Sequence, residues 1–162
     1  MKNILFFLIC LIAVSCTTQK VLKTDTSQDI DLSGRWNNTD AEIATNELFN
    51  SLITSSWFKE KLAGNDLKTR IKVLEFNGNF KDGGEQLEMY FKRYAKTDSS
   101  IELIEKDSEI IPEYLLVGEI TAEEFISESD NYIDYTVIAE LTNSDGIIQW
   151  KDKTIIKKYL KD

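Results

Sequence analysis

The segment IDYTVIAELTNSDGIIQWKDKTIIKK, residues 133–158, sets the architecture expected of this chain. Apolar side chains recur at every second position of its first half, which is the period of a strand with one buried face. Residues 143–146 then supply a turn whose glycine tolerates positive φ, and the chain returns with Trp150 and Ile156 on one face. The segment therefore predicts a long β-hairpin packed on a core. The alternating residues are Ile133, Tyr135, Val137, Ala139 and Leu141.

Three segments upstream of the hairpin also read as strands. Residues 70–76, RIKVLEF, alternate polar and apolar, with Glu75 expected on the same side as Val73. Residues 101–104 are a short strand, and residues 114–120, YLLVGEI, are an almost continuous apolar run. Continuous apolar runs are typical of strands at the centre of a sheet, so we expect residues 114–120 there.

A first amphipathic helix is predicted before these strands. Thr39 followed by Glu42 matches the capping-box pattern, so we expect the helix to begin there. A bend is expected at Ser55-Ser56, and Gly64-Asn65 is a C-cap signal. Apolar residues at spacings of three and four form one stripe, which predicts the face turned to the core. The stripe consists of Ala41, Ala44, Leu48 and Leu52, with Thr45, Phe49 and Ile53 beside them.

A second helix is predicted over residues 85–95, where apolar side chains again recur at helical spacing. Gly83-Gly84, just before it, is interpreted as a turn. The order of elements is α-β-α-β-β-β-β. This order predicts an α+β fold, a mixed sheet of about four to five strands with helices packed on it.

The N-terminus, MKNILFFLICLIAVSC, has the pattern of a lipoprotein signal peptide. A lysine, a short apolar run and a small residue before Cys16 indicate cleavage after residue 15, and the run is too short to span a bilayer. Cys16 would then carry acyl chains, palmitate among them, that anchor the protein in a membrane. The alternative is an ordinary secreted protein cleaved at a nearby residue. Residues 16–30 are predicted to be the lipidated cysteine and a flexible tether, and residues 31–162 a single globular domain.

The composition excludes several classes of function. The 162 residues include 28 acidic and 19 basic side chains, and removal of residues 1–15, which contain Lys2, leaves a formal charge of −10. Nucleic-acid binding depends on cationic contacts to phosphate, so this negative charge argues against nucleic acid as a partner. There is no histidine, and the only cysteines are Cys10 in the signal and Cys16. Catalytic triads with histidine, cysteine nucleophiles and Cys/His zinc sites are thereby excluded. We expect no enzyme activity, no cofactor and no metal.

The segment LSGRWNNTD, residues 32–40, resembles the LSGRWNDTD signature that opens the folded domain of the LpoB family, lipoprotein activators of bifunctional penicillin-binding proteins. Residues 114–121, YLLVGEIT, are similar to that family's central strand. Residues 133–159, with Trp150 and the pair Lys157-Lys158, are similar to its C-terminal sheet. The residues that match the signature are Leu32, Ser33, Gly34, Arg35, Trp36, Asn37, Thr39 and Asp40.

The resemblance implies a fold like the N-terminal domain of TolB and a non-catalytic role. It implies an outer-membrane lipoprotein, lipid-anchored on the periplasmic side, that binds a bifunctional penicillin-binding protein and activates peptidoglycan synthesis for the cell wall. Such activation is allosteric, because a partner shifts an equilibrium only by its differential affinity for the two states. An envelope assembly or secretion lipoprotein related to CsgG is the alternative, and amphipathic membrane-spanning strands, of which no clear pair is found, would distinguish it.

The signature residues have two interpretations. Arg35 and Trp36 are of types enriched at interface hot spots, which favours a contact surface. In the structural interpretation Gly34 allows a tight turn, Trp36 is a hydrophobic staple between the helix and the sheet, and Thr39 caps the helix. Both stay open at the level of sequence.

Other candidate residues are interpreted with their alternatives. Trp150 is expected in the core, whereas Trp57 fits either a core position or an exposed anchor. An acidic cluster after the central strand could bind calcium or a basic partner, although a solvated sheet edge explains it better. Its members are Glu119, Glu123, Glu124, Glu128 and Asp130.

Overall fold

A five-stranded mixed sheet with helices on one face organises the computed structural model of this chain. The structure describes residues 34–64, 68–80, 82–127 and 131–160. The predicted α+β class, a mixed sheet with helices packed on it, is confirmed. The elements are α1 (Asn38–Thr54), α2 (Ser56–Ala63), β1 (Thr69–Gly78), α3 (Gly83–Thr97), β2 (Ile101–Leu103), β3 (Tyr114–Ile126), β4 (Asn131–Asn143) and β5 (Ile148–Tyr159).

The strands lie in the order β2-β1-β3-β4-β5, so the apolar run that begins at Tyr114 is central, as predicted. Strand β1 is parallel to β2 and to β3. Strands β3, β4 and β5 are antiparallel, and the last two form the predicted hairpin. Parallel pairs require a crossover, and α3 supplies it between β1 and β2.

The helices cover one face of the sheet, and the core lies between. The predicted stripe of α1 is buried, with Ile53 partly buried against the core. The predicted bend is also present, because α1 ends at Thr54 and Ser55 caps α2 by accepting a hydrogen bond from Phe58 N at 3.2 Å. Trp150 is buried as predicted, and Trp57 is partly buried with its ring edge-on to Tyr114.

The first helix begins two residues earlier than the sequence predicted. Asn37 is the N-cap, and its side-chain oxygen accepts hydrogen bonds from the amides of Thr39 and Asp40 at 2.7 and 3.3 Å. The Asp40 carboxylate accepts from Asn37 N at 3.1 Å, which completes a capping box. The predicted box of Thr39 and Glu42 is therefore wrong. Asparagine is a stronger N-cap than threonine, and the earlier start leaves Asp40 in the first turn.

The interpretation of Gly83-Gly84 as a turn is also wrong, since both residues belong to α3. The turn lies one residue earlier, at Asp82, which has φ of +66°. A Cβ built on Gly84 would lie 1.9 Å from the carbonyl oxygen of Phe76. The first turn of α3 therefore passes so close to β1 that only glycine fits.

Strand β1 departs from strict alternation at a bulge. Its register against β3 shifts between Val73 and Phe76, which leaves Glu75 exposed and buries Phe76. The prediction that Glu75 shares the side of Val73 is thus wrong. The ring of Phe76 stacks on Phe91 of α3 with centroids 5.1 Å apart, and this contact accounts for the inward turn of Phe76.

Replacing Gly84 by alanine should destabilise the domain by about 3 kcal/mol, because the added methyl group meets backbone that cannot move aside. For a domain of this size that lowers Tm by roughly 10 °C. Gly64→Ala is the matched control, since Gly64 ends α2 in helical conformation and a Cβ there has no neighbour closer than 3.8 Å. Equal Tm values for the two variants, by circular dichroism melting, would contradict the close packing of α3 on β1.

Candidate functional site

The structure brings the signature residues Gly34–Asp40 against the C-terminal end of β5. We call these residues the signature segment. Three other predicted site residues, Leu32, Ser33 and the lipidation residue Cys16, lie outside the described residues.

Gly34 makes the first of three contacts between the signature segment and the sheet. Its φ is +67°, and a Cβ there would lie 3.0 Å from Leu160 Cδ2 and 3.2 Å from the carbonyl oxygen of Tyr159. Positive φ and close backbone approach both require glycine. The tight turn expected at Gly34 therefore serves to place the chain beside the end of β5.

Trp36 makes the second contact, in an aromatic cluster with Phe80 and Tyr135. Its ring centroid lies 6.1 Å from that of Phe80 and 5.3 Å from that of Tyr135. Its backbone N–H donates to the Tyr135 hydroxyl at 3.1 Å. The indole Nε1 is buried without a hydrogen-bond partner among the described residues. The geometry gives Trp36 a packing role over the sheet.

Asp40 makes the third contact, an ion pair with Lys158 of β5 at 2.9 Å. Both side chains are largely buried, with 7% and 10% of their surface exposed. Asp40 also completes the capping box of α1, so one carboxylate closes the helix start and joins it to the last strand. Removing one partner of a buried ion pair leaves an uncompensated charge, which is strongly destabilising.

The remaining signature residues differ in exposure. Asn37 and Thr39 are half-buried at the helix start, whereas Arg35 is exposed. Arg35 is thus the signature side chain most accessible to a partner, while Gly34, Trp36 and Asp40 act in packing. The structure agrees with the structural interpretation for Gly34 and Trp36 and contradicts it for Thr39, which does not cap the helix, while a contact role of Arg35 stays a prediction.

The predicted acidic cluster is divided by the sheet. Glu119 and Glu123 lie on one side of β3 and Glu124 on the other, because successive side chains of a strand alternate. No group of three acidic, histidine or cysteine side chains within the described ranges could hold a metal ion. Glu128 and Asp130 lie outside the described residues.

The sheet face turned away from the helices, which we call the open face, carries two internal ion pairs, while its Glu119, Glu123 and Lys153 have no ion pair among the described residues. It comprises the odd-numbered residues of β3 and β5 and the even-numbered residues of β4. Lys151 contacts Glu140, and Lys157 Nζ lies 2.9 Å from Asp134 and 3.4 Å from the ring centroid of Tyr132. The hydrogen bond to Asp134 raises the pKa of Lys157 above its ordinary value. These contacts are typical of a solvated antiparallel face.

A shallow depression lies on the outer side of α3. Its lining includes Met89 and three cations, each of which is already paired with a carboxylate. The pairs are Lys92 with Glu88, Arg93 with Glu42 and Lys96 with Glu105. The depression therefore offers no unpaired charge to an anionic ligand.

The sequence analysis missed four exposed isoleucines. Ile110 and Ile111 lie in the loop between β2 and β3, and Ile147 and Ile148 follow the β4–β5 turn. Ile111 is 78% exposed and Ile147 is 59% exposed. The available signal was the apolar pair before Pro112, which lies in an otherwise polar loop outside any predicted element.

Comparisons with known proteins give structural likeness only. No protein-family model and no curated protein matches the sequence. The LpoB C-terminal domain from Salmonella enterica has a TM-score of 0.48 and 10% identity, over 72% of this chain and 98% of that domain. The PelC dodecamer from Paraburkholderia phytofirmans has a TM-score of 0.40 and 14% identity, over 57% of this chain and 74% of PelC. The lipoprotein GNA1162 from Neisseria meningitidis has a TM-score of 0.39 and 13% identity, over 55% of this chain and 82% of that protein.

Likeness at this level is confined to the general fold, and nothing about ligand, partner or activity follows from it. Among the described residues, no helix is both long and apolar enough to cross a membrane.

Lys158→Met should destabilise the domain by about 3 kcal/mol, because it keeps the apolar stem but leaves Asp40 buried without its cation. Urea unfolding followed by tryptophan fluorescence measures the change. Lys157→Met is the matched control, since Lys157 is exposed on the other face of the same strand, where ion pairs contribute little. If both variants lost the same free energy of unfolding, the Asp40–Lys158 pair would contribute no more to stability than an exposed ion pair.

Proposed function

We propose that this chain is an outer-membrane lipoprotein, facing the periplasm, that binds a bifunctional penicillin-binding protein and activates peptidoglycan synthesis. The protein would act by contact and not by catalysis. Cys16 is the proposed lipidation site, and the described residues form the proposed binding module.

The observation that carries this proposal is the meeting of the two stretches that resemble the LpoB family. The N-terminal signature and the C-terminal lysine pair are 118 positions apart, and Asp40 and Lys158 join them through a largely buried ion pair. Two residues of the resembling stretches, Asp40 and Lys158, therefore also join the first helix to the last strand. A signature whose residues also make structural contacts in this chain supports the proposal more than the sequence match alone.

The proposed mechanism is a shift between two states of the synthase. Docking would stabilise the arrangement of the synthase in which its glycosyltransferase domain and its transpeptidase domain are both active. Moving such an equilibrium from about 1:99 to about 99:1 requires roughly 10⁴-fold tighter binding to the favoured state. Partial activation needs less, so a moderate affinity is sufficient for regulation.

Adding the lipidated, full-length protein to a purified bifunctional penicillin-binding protein in detergent should increase glycan-chain polymerisation several-fold, with binding at about 1 µM or tighter. The assay follows consumption of the lipid-linked precursor, with surface plasmon resonance for affinity. An acidic lipoprotein of unrelated sequence is the control. Absence of both binding and activation for every bifunctional synthase of the cell would refute the proposed function.

Cys16→Ala should abolish labelling with radioactive palmitate, because the acyl chains are attached to that residue. Cys10→Ser is the matched control, since Cys10 lies in the signal and its change should leave labelling intact. Labelling that persists in Cys16→Ala would rule out Cys16 as the lipidation site.

A further inference from the structure

Four isoleucines at one end of the sheet form one of the exposed apolar groups of the described residues. We call this feature the isoleucine end, defined by Ile110, Ile111, Ile147 and Ile148. Single exposed isoleucines need no explanation, but four large aliphatic side chains at one end of a sheet are unusual for a monomer surface. None of the four belongs to the core cluster.

Strand pairing places the loop and the turn at the same end of the sheet. Ile147 is held opposite Asn143 by two hydrogen bonds, of 2.8 and 3.0 Å, and Asn143 pairs in register with Tyr114. Two strand spacings separate Tyr114 from Ile147, about 10 Å, and three residues separate Tyr114 from Ile111, again about 10 Å. The Cα atoms of Ile111 and Ile147 therefore lie within about 20 Å of each other. An interface of standard size, about 800 Å² per partner, covers both.

The isoleucine end has an acidic rim. Asp107 and Glu109 precede Ile110 and Ile111 in the loop, with Lys106 before them, and Asp145 lies in the turn before Ile147. The three acidic residues and Lys106 are all exposed, and none of the four forms an ion pair within the described part of the chain. An apolar centre with a rim of net negative charge is complementary to an apolar groove rimmed by lysine or arginine.

The same charges disfavour other occupants. A second copy docked through this end would bring its own acidic rim against the first, and like charges repel. An anionic lipid surface would be repelled in the same way. Gly34, the first described residue, lies beside Tyr159, and the 13 residues of β4 separate that end of the hairpin from Ile147 by about 40 Å.

We infer that the isoleucine end is the surface that docks on the protein partner, and that the partner presents an apolar groove with a basic rim. This inference rests on the proposed function for the identity of the partner, the bifunctional synthase. The isoleucines form the buried centre of the contact, and the three acidic residues orient the partner by attracting its basic rim. The open face, where Lys151 pairs with Glu140 and Lys157 with Asp134, has no part in it.

Photo-crosslinking in cells tests the isoleucine end. A photoreactive phenylalanine replaces Ile111 or Ile147 in the full-length lipidated protein, and mass spectrometry identifies the adduct and the crosslinked peptide. Ile126 and Ile155 are matched control positions, 76% and 51% exposed but away from this end. We expect an adduct with a bifunctional synthase from positions 111 and 147, at a peptide containing lysine or arginine, and at least tenfold less from positions 126 and 155.

Charge reversal tests the rim in the same cells. Glu109→Lys combined with Asp145→Lys should lower the yield of the adduct at least fivefold, whereas Glu123→Lys combined with Glu124→Lys should leave it unchanged. The four acidic residues are all exposed, so folding is not expected to change.

The outcomes separate this inference from the proposed function. Adducts from positions 111 and 147 with another envelope protein, equally sensitive to reversal of the rim charges, support the isoleucine end and overturn the synthase as partner. A synthase adduct from positions 126 and 155 alone overturns the isoleucine end and keeps the proposed function. No adduct from positions 111 and 147, an adduct with a second copy of the chain, or indifference to the rim charges overturns the inference.

Discussion

The ion pair between Asp40 and Lys158 holds together the two ends of the described domain. Asp40 belongs to the first turn of α1 and Lys158 to the last strand, so the pair ties the helical layer to the edge of the sheet. Around it, Gly34 packs against the end of β5 and Trp36 packs on Tyr135. A buried ion pair adds less net stability than its geometry suggests, because both charges have lost their hydration. The ion pair instead fixes the position of α1 along β5, because only one alignment of the two elements pairs both charges and also forms the capping box of α1.

The main elements of this fold could be predicted from local patterns, whereas its exceptions depend on distant contacts. The alternation from Ile133 to Leu141 and the helical stripe of α1 each reflect one buried face, and both are visible in a single sequence. The bulge in β1 depends on Phe91, which lies on another helix, and the helical start at Gly83 depends on the backbone of Phe76. The choice of Asn37 over Thr39 as the N-cap is coupled to Lys158, more than a hundred residues away. Local propensity is a weak guide wherever such contacts compete with it.

The candidate site was less predictable than the fold for a related reason. The signature segment is recognisable in sequence, but its division into packing residues and the exposed Arg35 follows only from the position of β5. The isoleucine end joins a loop before β3 to a turn after β4, and these become neighbours only through the register of Tyr114 with Asn143. Ile147 and Ile148 stand at the start of a predicted strand, and no local pattern in the sequence marks them as exposed.

The open face and the isoleucine end differ in what binding would cost. On the open face a partner would have to displace the contacts of Lys151 with Glu140 and of Lys157 with Asp134, or accept charges that are already satisfied. At the isoleucine end the apolar side chains have no polar contacts to lose, and removing them from water is favourable by roughly 25 cal/mol per Å² of apolar surface. The carboxylates of the rim are hydrated in the free protein, and a lysine or arginine of the partner can replace that water directly. Binding a basic partner therefore requires no rearrangement of this domain. Hydrogen bonds to β1 hold both ends of the loop, and hydrogen bonds to Asn143 of β4 hold the turn. The isoleucine end therefore combines exposed apolar side chains, anchored backbone and unpaired acidic neighbours, which suits it to contact with another protein.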